Sequence, residues 1–179
     1  MLLSRFAVVG AVVALASPGW AGEVRIGMDP MGMFPKQCHV VRFLGPQEAA
    51  ARYEKRQKER FEKPDALALE ALSRGVSVSV TMEAPAERRS CTLHSGRPEK
   101  IVLAVKGGPE PVLTIPLVVE EMTLKNAAGG EFRAFNGSAM VPLGDFEQLV
   151  GRELDFHLIF GDHVYEDKWK KDYAAKVLK

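Results

Sequence analysis

Alternating hydrophobic and polar residues recur through the middle and the end of the chain. The run 76–83 places valines and a methionine on one face, and serines, a threonine and a glutamate on the other. The run 154–160 alternates in the same way, with two leucines and two phenylalanines on one face. A period of two is typical of a half-buried β-strand. We predict further short strands at 23–27, 39–44, 90–94, 100–106, 112–125 and 129–143.

Two local signals divide these strand runs. Pro116 lies inside the apolar run 112–125 and has no amide proton to donate to a sheet, so it marks an edge, a bulge or a break between two strands. Asn136–Gly137 stands between two short apolar runs, a pattern that predicts a two-residue hairpin turn.

A helical pattern interrupts the strands between Gly45 and Gly75. Pro46 suits the first turn of a helix, and Pro64 ends or kinks that helix before it resumes to residue 74. Tyr53 and Phe61 are eight residues apart, so we expect both to pack inward from one helix face.

The last third of the chain predicts two more helices. Asp145 can cap a short helix that ends at Gly151. Trp169, Tyr173 and Val177 have a spacing of four, which predicts a C-terminal helix, with an edge strand over 173–178 as the alternative.

The element order predicts a mainly β fold. Short strands separated by turn signals every 8–12 residues are typical of an antiparallel β-sandwich, Ig-like or similar. We place an inserted helical segment at about 46–74 and a helix at the C-terminus. A parallel α/β fold would need helices between the strands of 76–142, where no helical pattern occurs.

The first residues have the three-part pattern of a secretory signal peptide. Arg5 precedes an apolar run at 6–16, and small residues precede a cleavage point after Ala21. We therefore expect a signal peptide at 1–21, a single β-rich domain at 22–179, and a periplasmic or secreted protein, with an uncleaved anchor as the alternative. No later apolar run approaches the ~18 residues of a membrane helix, so we expect no transmembrane segment after cleavage.

The charge balance excludes one class of partner. The chain has 24 Lys and Arg against 23 Asp and Glu, and removal of Arg5 with the leader makes it formally neutral. We therefore expect no nucleic-acid partner.

Two cysteines, Cys38 and Cys91, follow the leader. An even count in an oxidising compartment predicts a disulfide between them, with two free thiols as the alternative.

The segment 28–39, MDPMGMFPKQCH, is the one candidate metal site in the sequence. Met28, Met31 and Met33 could supply thioethers to cuprous copper, a soft metal, and His39 could add a nitrogen ligand. The alternative is that these methionines fill gaps in the core and that the protein has no cofactor.

The stretch 52–63 is rich in cations. Its charges fit a solvated helix face. They also fit a partner surface for lipid headgroups, a polysaccharide or a protein, for which the candidate residues are Arg52, Lys55, Arg56 and Arg60.

No catalytic or nucleotide-binding motif occurs in the sequence. Asp155 and His157 share one face of a predicted strand, but no nucleophile accompanies them. We therefore expect a non-catalytic binding or envelope-assembly module with a protein or glycan partner. The alternatives are a copper-binding protein that uses the methionine segment and a hydrolase whose site forms only in space.

Overall fold

Two antiparallel sheets form the framework of the fold, and the computed structural model describes residues 22–27, 39–82, 97–125, 131–161 and 163–179. The elements in these ranges are β1 (Glu23–Ile26), β2 (His39–Leu44), α1 (Pro46–Glu59), α2 (Ala66–Ser73), β3 (Gly75–Met82), β4 (Pro98–Val105), β5 (Pro111–Pro116), β6 (Val118–Lys125), β7 (Glu131–Pro142), α3 (Leu143–Glu147), β8 (Leu154–Phe160), β9 (His163–Trp169) and α4 (Tyr173–Val177).

Each sheet has a simple antiparallel order. The first contains β1-β2-β3-β7-β6 and the second contains β5-β4-β8-β9. The predicted mainly β sandwich is therefore confirmed. The helical segment α1–α2 connects β2 to β3, as the sequence predicted, and α4 follows the last strand.

The core lies between the two sheets and is dense in aromatic side chains. Phe43 of β2 contacts Trp169 of β9 edge to face, with ring centroids 5.0 Å apart, and Phe156 of β8 at 6.4 Å. Phe146 of α3 lies 6.0 Å from the Phe43 ring. Alternation along β2, β8 and β9 sends the rings of Phe43, Phe156 and Trp169 inward, and edge-to-face packing adds to the free energy gained from their burial.

Pro116 lies where the chain passes from one sheet to the other. β5 ends at Pro116 in the second sheet, and β6 begins at Val118 in the first. The predicted break between two strands is confirmed. The amide of Leu117 donates to the carbonyl of Glu99 on β4 at 2.9 Å, which keeps the crossing point tied to the second sheet.

The predicted hairpin at Asn136–Gly137 is wrong, because both residues lie inside the continuous strand β7. β7 pairs with β3 on one side and with β6 on the other, and these ladders outweigh the local turn preference. A Cβ at Gly137 would lie 3.1 Å from the side chain of Leu117, so the glycine allows a close approach.

The C-terminal helix is shorter than the spacing predicted. Trp169 ends strand β9, and only Tyr173 and Val177 belong to α4. A spacing of four also keeps residues on one face of a strand, so the pattern did not separate the two structures. Pairing of Trp169 with Leu154 of β8 places its indole in the core.

Gly22, just before β1, and Gly45, just before α1, meet the end of α4. The amide of Gly22 donates to the carbonyl of Lys176 at 2.9 Å, and the amide of Gly45 donates to the carbonyl of Gly22 at 2.8 Å. A Cβ at Gly45 would lie 1.8 Å from the carbonyl oxygen of Val177. Only a residue without a side chain fits between α1 and α4 here.

We expect Gly45→Ala to lower the free energy of unfolding by about 3 kcal/mol, because the backbone of α4 must move to admit the methyl group. Urea unfolding measures the loss. Gly144→Ala is the matched control, since a Cβ at Gly144 meets no atom within 4 Å. Equal stability of the two variants would contradict the close packing of α4 on Gly45.

Candidate functional site

Most of the predicted metal and disulfide residues lie outside the described residues. These are Met28, Met31, Met33, Cys38 and Cys91. The copper site and the disulfide therefore stay predictions.

His39 is the one predicted metal ligand that the structure describes. Its side chain is buried between the sheets, and its ring centroid lies 4.9 Å from that of Phe160. His163 lies on the neighbouring strand, with its centroid 6.2 Å from the same phenylalanine. Among the described residues, no group of three or more His, Cys, Asp or Glu side chains could hold a metal ion.

Asp155 and His157 lie on the outer face of the second sheet, as predicted. Asp155 accepts a 2.7 Å hydrogen bond from the amide of Gly107, in the turn after β4. His157 Nδ1 lies 3.6 Å from Glu166 Oε1 on β9. These contacts join neighbouring strands and their turns, so each residue has a structural partner.

The charged face of α1 divides into a partly buried and an exposed part. Arg52 Nη2 lies 2.6 Å from Glu23 Oε2, and its Nε lies 2.5 Å from Glu48 Oε1. Arg56 and Arg60 are exposed, and Lys55 Nζ lies 4.0 Å from Glu59. Of the four predicted partner-surface residues, three thus face solvent, namely Lys55, Arg56 and Arg60. Arg52 instead connects the helix to the sheet.

Glu23 is at the centre of these contacts between α1 and the first sheet. Its side chain is 3% exposed and accepts hydrogen bonds from Arg25 Nε at 2.7 Å and from Arg52 Nη2 at 2.6 Å. Arg42 Nε lies 4.0 Å away, and Arg42 is directly opposite Arg25 in the pairing of β1 with β2. We call Glu23 and these three arginines the Glu23 cluster.

The charges of the Glu23 cluster perturb one another. Burial raises the pKa of Glu23, but the hydrogen bonds from Arg25 and Arg52 and the positive charges of both together outweigh it and hold the pKa below the ordinary value. Burial lowers the pKa of Arg42, and the like charge of Arg25 adds to this effect. The carboxylate thus offsets repulsion between the two arginines that face each other across β1 and β2.

We expect Glu23→Gln to lower the free energy of unfolding by about 2 kcal/mol at neutral pH, because charge-assisted hydrogen bonds to part-exposed arginines are lost. The wild-type contribution is present above pH 4.5, the ordinary value for Glu23, and is lost as the pH falls through the depressed folded value. Urea unfolding at several pH values measures both effects. Glu54→Gln on the exposed face of α1 is the control, and an equally small loss for both variants would contradict this role of Glu23.

An unusual residue follows the C-cap of α1, which is Arg60. The helix ends at Glu59, the amide of Phe61 donates to the carbonyl of Lys58, and the amide of Glu62 donates to the carbonyl of Gln57. These two bonds define a Schellman motif, whose left-handed position is usually occupied by glycine. Here that position is Phe61, with φ of 59°.

Phe61 is also fully exposed, so the prediction that it packs inward is wrong. Its side chain is 99% exposed, whereas Tyr53 is half-buried and accepts a hydrogen bond from Gln57. The helix ends two residues before Phe61, so the helical spacing no longer decides which way its side chain points. Leu67, in the first turn of α2, is 74% exposed.

We call residues 58–67 the hairpin tip. It carries the cations Lys58, Arg60 and Lys63 together with three acidic residues, so an exposed phenylalanine lies among mixed charges. Local bonds hold it without help from the sheets: the Schellman motif ends α1, and Asp65 caps α2 by accepting from the amide of Leu67 at 2.9 Å. These hydrogen bonds therefore hold the backbone of the tip, and the side chain of Phe61 extends from it into solvent.

We expect Phe61→Gly to raise the free energy of unfolding by about 1 kcal/mol, because glycine adopts the left-handed conformation without the Cβ clash. Thermal and urea unfolding measure the gain. Phe61→Ala is the matched control, since it removes the ring but keeps the Cβ and should give no comparable gain. A loss of stability in the glycine variant would show that the ring contributes to the fold.

The fold defines the class of this protein as a β-sandwich with helical inserts. No family model matches the chain, and no curated protein matches it. A crystal structure of a novel protein of unknown function from Burkholderia pseudomallei is similar, with 14% sequence identity and a TM-score of 0.37. The match covers 77% of this chain and 78% of that chain, and similarity at this level carries no conclusion about function. No helix among the described residues is long and apolar enough to span a membrane.

Proposed function

We propose that this protein is a non-catalytic binding module of the cell envelope that binds a partner protein through the hairpin tip. The observation that carries the proposal is the full exposure of Phe61 in a strained backbone conformation. The leader pattern at 1–21 and the neutral charge of the rest of the chain support an exported protein that does not bind nucleic acid.

The strain at Phe61 is the first step of the argument. A left-handed backbone costs an L-residue roughly 1–2 kcal/mol, and glycine at the same position would avoid that cost. Residues held in unfavourable backbone conformations are concentrated at binding and catalytic sites. Phe61 has no core contact to offset its cost, so a contact outside the folded chain is the role that fits it.

The chemistry of the tip is the second step. Aromatic residues and arginine dominate the binding energy of protein interfaces, and polar residues surround them. Phe61 follows Arg60 directly, and Lys63 lies two positions later. Glu62 follows Phe61, so the ring lies between opposite charges, which matches an apolar pocket with a polar rim on a partner protein.

A photo-crosslinking amino acid tests the proposal. We expect benzoylphenylalanine at position 61 to form a covalent adduct with a protein when the full chain is expressed with its leader and irradiated in intact cells. The same amino acid at position 54, on the exposed face of α1, is the control and should give no such adduct. Equal adducts at both positions, or none at position 61 as a glycan partner would give, would overturn the proposal.

A further inference from the structure

Gly22 holds the start of β1 against the ends of two helices. Its amide donates to the carbonyl of Lys176 in α4 at 2.9 Å, and its carbonyl accepts from the amide of Gly45, just before α1, at 2.8 Å. Gly22 is buried, and its φ of 85° lies in the left-handed region that favours glycine. An opening of about 250 Å³ lies beside it, between α1 and the end of α4. Gly22 therefore has a fixed place at the edge of an opening.

The groups beside Gly22 are acceptors that carry negative charge. The last carbonyls of a helix have no partner within it and carry partial negative charge, and Lys176 is next to last in α4. Glu48 of α1 lies against Gly22, since a Cβ on Gly22 would be 3.0 Å from the Glu48 Cβ. Arg52 pairs with Glu48 through Nε and with Glu23 through Nη2, so one cation is shared by two carboxylates. The surroundings of Gly22 thus favour a further positive charge.

Removal of the leader changes the nitrogen of Gly22 chemically. Hydrolysis of the peptide bond between Ala21 and Gly22 adds the hydroxyl group of water to the Ala21 carbonyl carbon and a proton to the Gly22 nitrogen. The free amine then takes one more proton from solvent, because the ordinary pKa of an α-amino group is about 7.7–8.0. A neutral amide with one N–H becomes an ammonium with three.

We propose that the ammonium formed at Gly22 is a structural cation that caps the carbonyl end of α4 and pairs with Glu48. One N–H keeps the bond to the Lys176 carbonyl, and this bond becomes stronger because its donor is charged. The other two N–H groups are available to the Glu48 carboxylate. The side chain of Lys176 does not supply this charge, since its Nζ lies 2.9 Å from Asp172 Oδ2 within α4.

The position of the cut determines whether this contact forms. A chain cut one residue earlier carries its charge about 3.8 Å further along the backbone, away from the end of α4. An uncut chain has an amide at Gly22 and gains nothing from the charge. Removal of the leader after Ala21 therefore adds to the stability of the folded protein. This inference rests on the export that is part of the proposed function, but it does not depend on the hairpin tip.

Three chains that differ only at the N-terminus test the role of the charge. The first begins at Gly22, the second is the same chain acetylated at its α-amine while unfolded, and the third begins at Ala21. Acetylation removes the charge, whereas the extra alanine keeps the charge and moves it. We expect the ratio of folded to unfolded protein, measured by urea unfolding, to fall about fivefold in both altered chains.

The comparison of the three chains has two outcomes that contradict the proposal. Equal stability of all three chains would overturn it. A loss in only one of the altered chains would also overturn it, because net charge alone or the added residue alone would then explain the effect.

Glu48→Gln tests the pairing of the ammonium with α1. In this variant acetylation should lower the ratio of folded to unfolded protein only about twofold, because the contact with α4 alone remains. The lost contact of Arg52 is common to both N-termini and cancels in this comparison. Glu54→Gln, on the exposed face of α1, is the control and should leave the cost of acetylation unchanged. An unchanged cost in Glu48→Gln would overturn the pairing, and the three-chain comparison does not require this variant to fold.

The cut itself is checked on protein exported from cells. We expect mass spectrometry of the chain expressed with its leader to show an N-terminus at Gly22. Another N-terminus would overturn this inference, and an adduct at position 61 would still support the hairpin tip as a binding surface. A cut before Gly22 with the expected losses of stability, but no adduct at position 61, would overturn the proposed function and leave this inference standing.

Discussion

The contact between Phe43 of one sheet and Trp169 of the other determines how the sandwich is assembled. Phe43 also reaches Phe156 of the second sheet and Phe146 of α3, so one ring from β2 meets side chains from three other elements. Phe43 lies far in sequence from the other three rings, so these contacts bring β2 against the last part of the chain. The core thus depends on long-range contacts, which is typical of a β-sandwich.

The helical insertion is stabilised in two separate ways. At its base, the Glu23 cluster ties α1 to β1 and β2 through Arg52. At its far end, a Schellman motif, the Asp65 cap and a hydrogen bond from the amide of Asp65 to the hydroxyl of Tyr53 hold the hairpin tip within the helical insertion. Because the tip needs no packing against the sheets, a residue there can face solvent without loosening the core. This division lets Phe61 remain exposed on a helix pair that is itself firmly attached.

The sequence predicted the strands well because inward and outward residues alternate in them, and Pro116 marked a real break between β5 and β6. It assigned Trp169, the last residue of β9, to a helix because a spacing of four fits both structures. It placed a turn at Asn136–Gly137 because local preference carries no information about the two neighbouring strands. The exposed Phe61 was missed because Pro64 suggested a later helix end. The Glu23 cluster joins residues up to 29 positions apart, and no local sequence pattern predicts a contact between residues so far apart.

The fluorescence of Trp169 reports on the contact between the two sheets. The other tryptophan, Trp20, lies within residues 1–21, so a chain that begins after Ala21 contains one indole. That indole is 1% exposed, and its Nε1 makes no hydrogen bond with the described residues. An indole in apolar surroundings emits at shorter wavelength than one in water. Its emission therefore distinguishes separation of the two sheets, which would shift it to the red, from melting of the helical insertion, which would leave it unchanged.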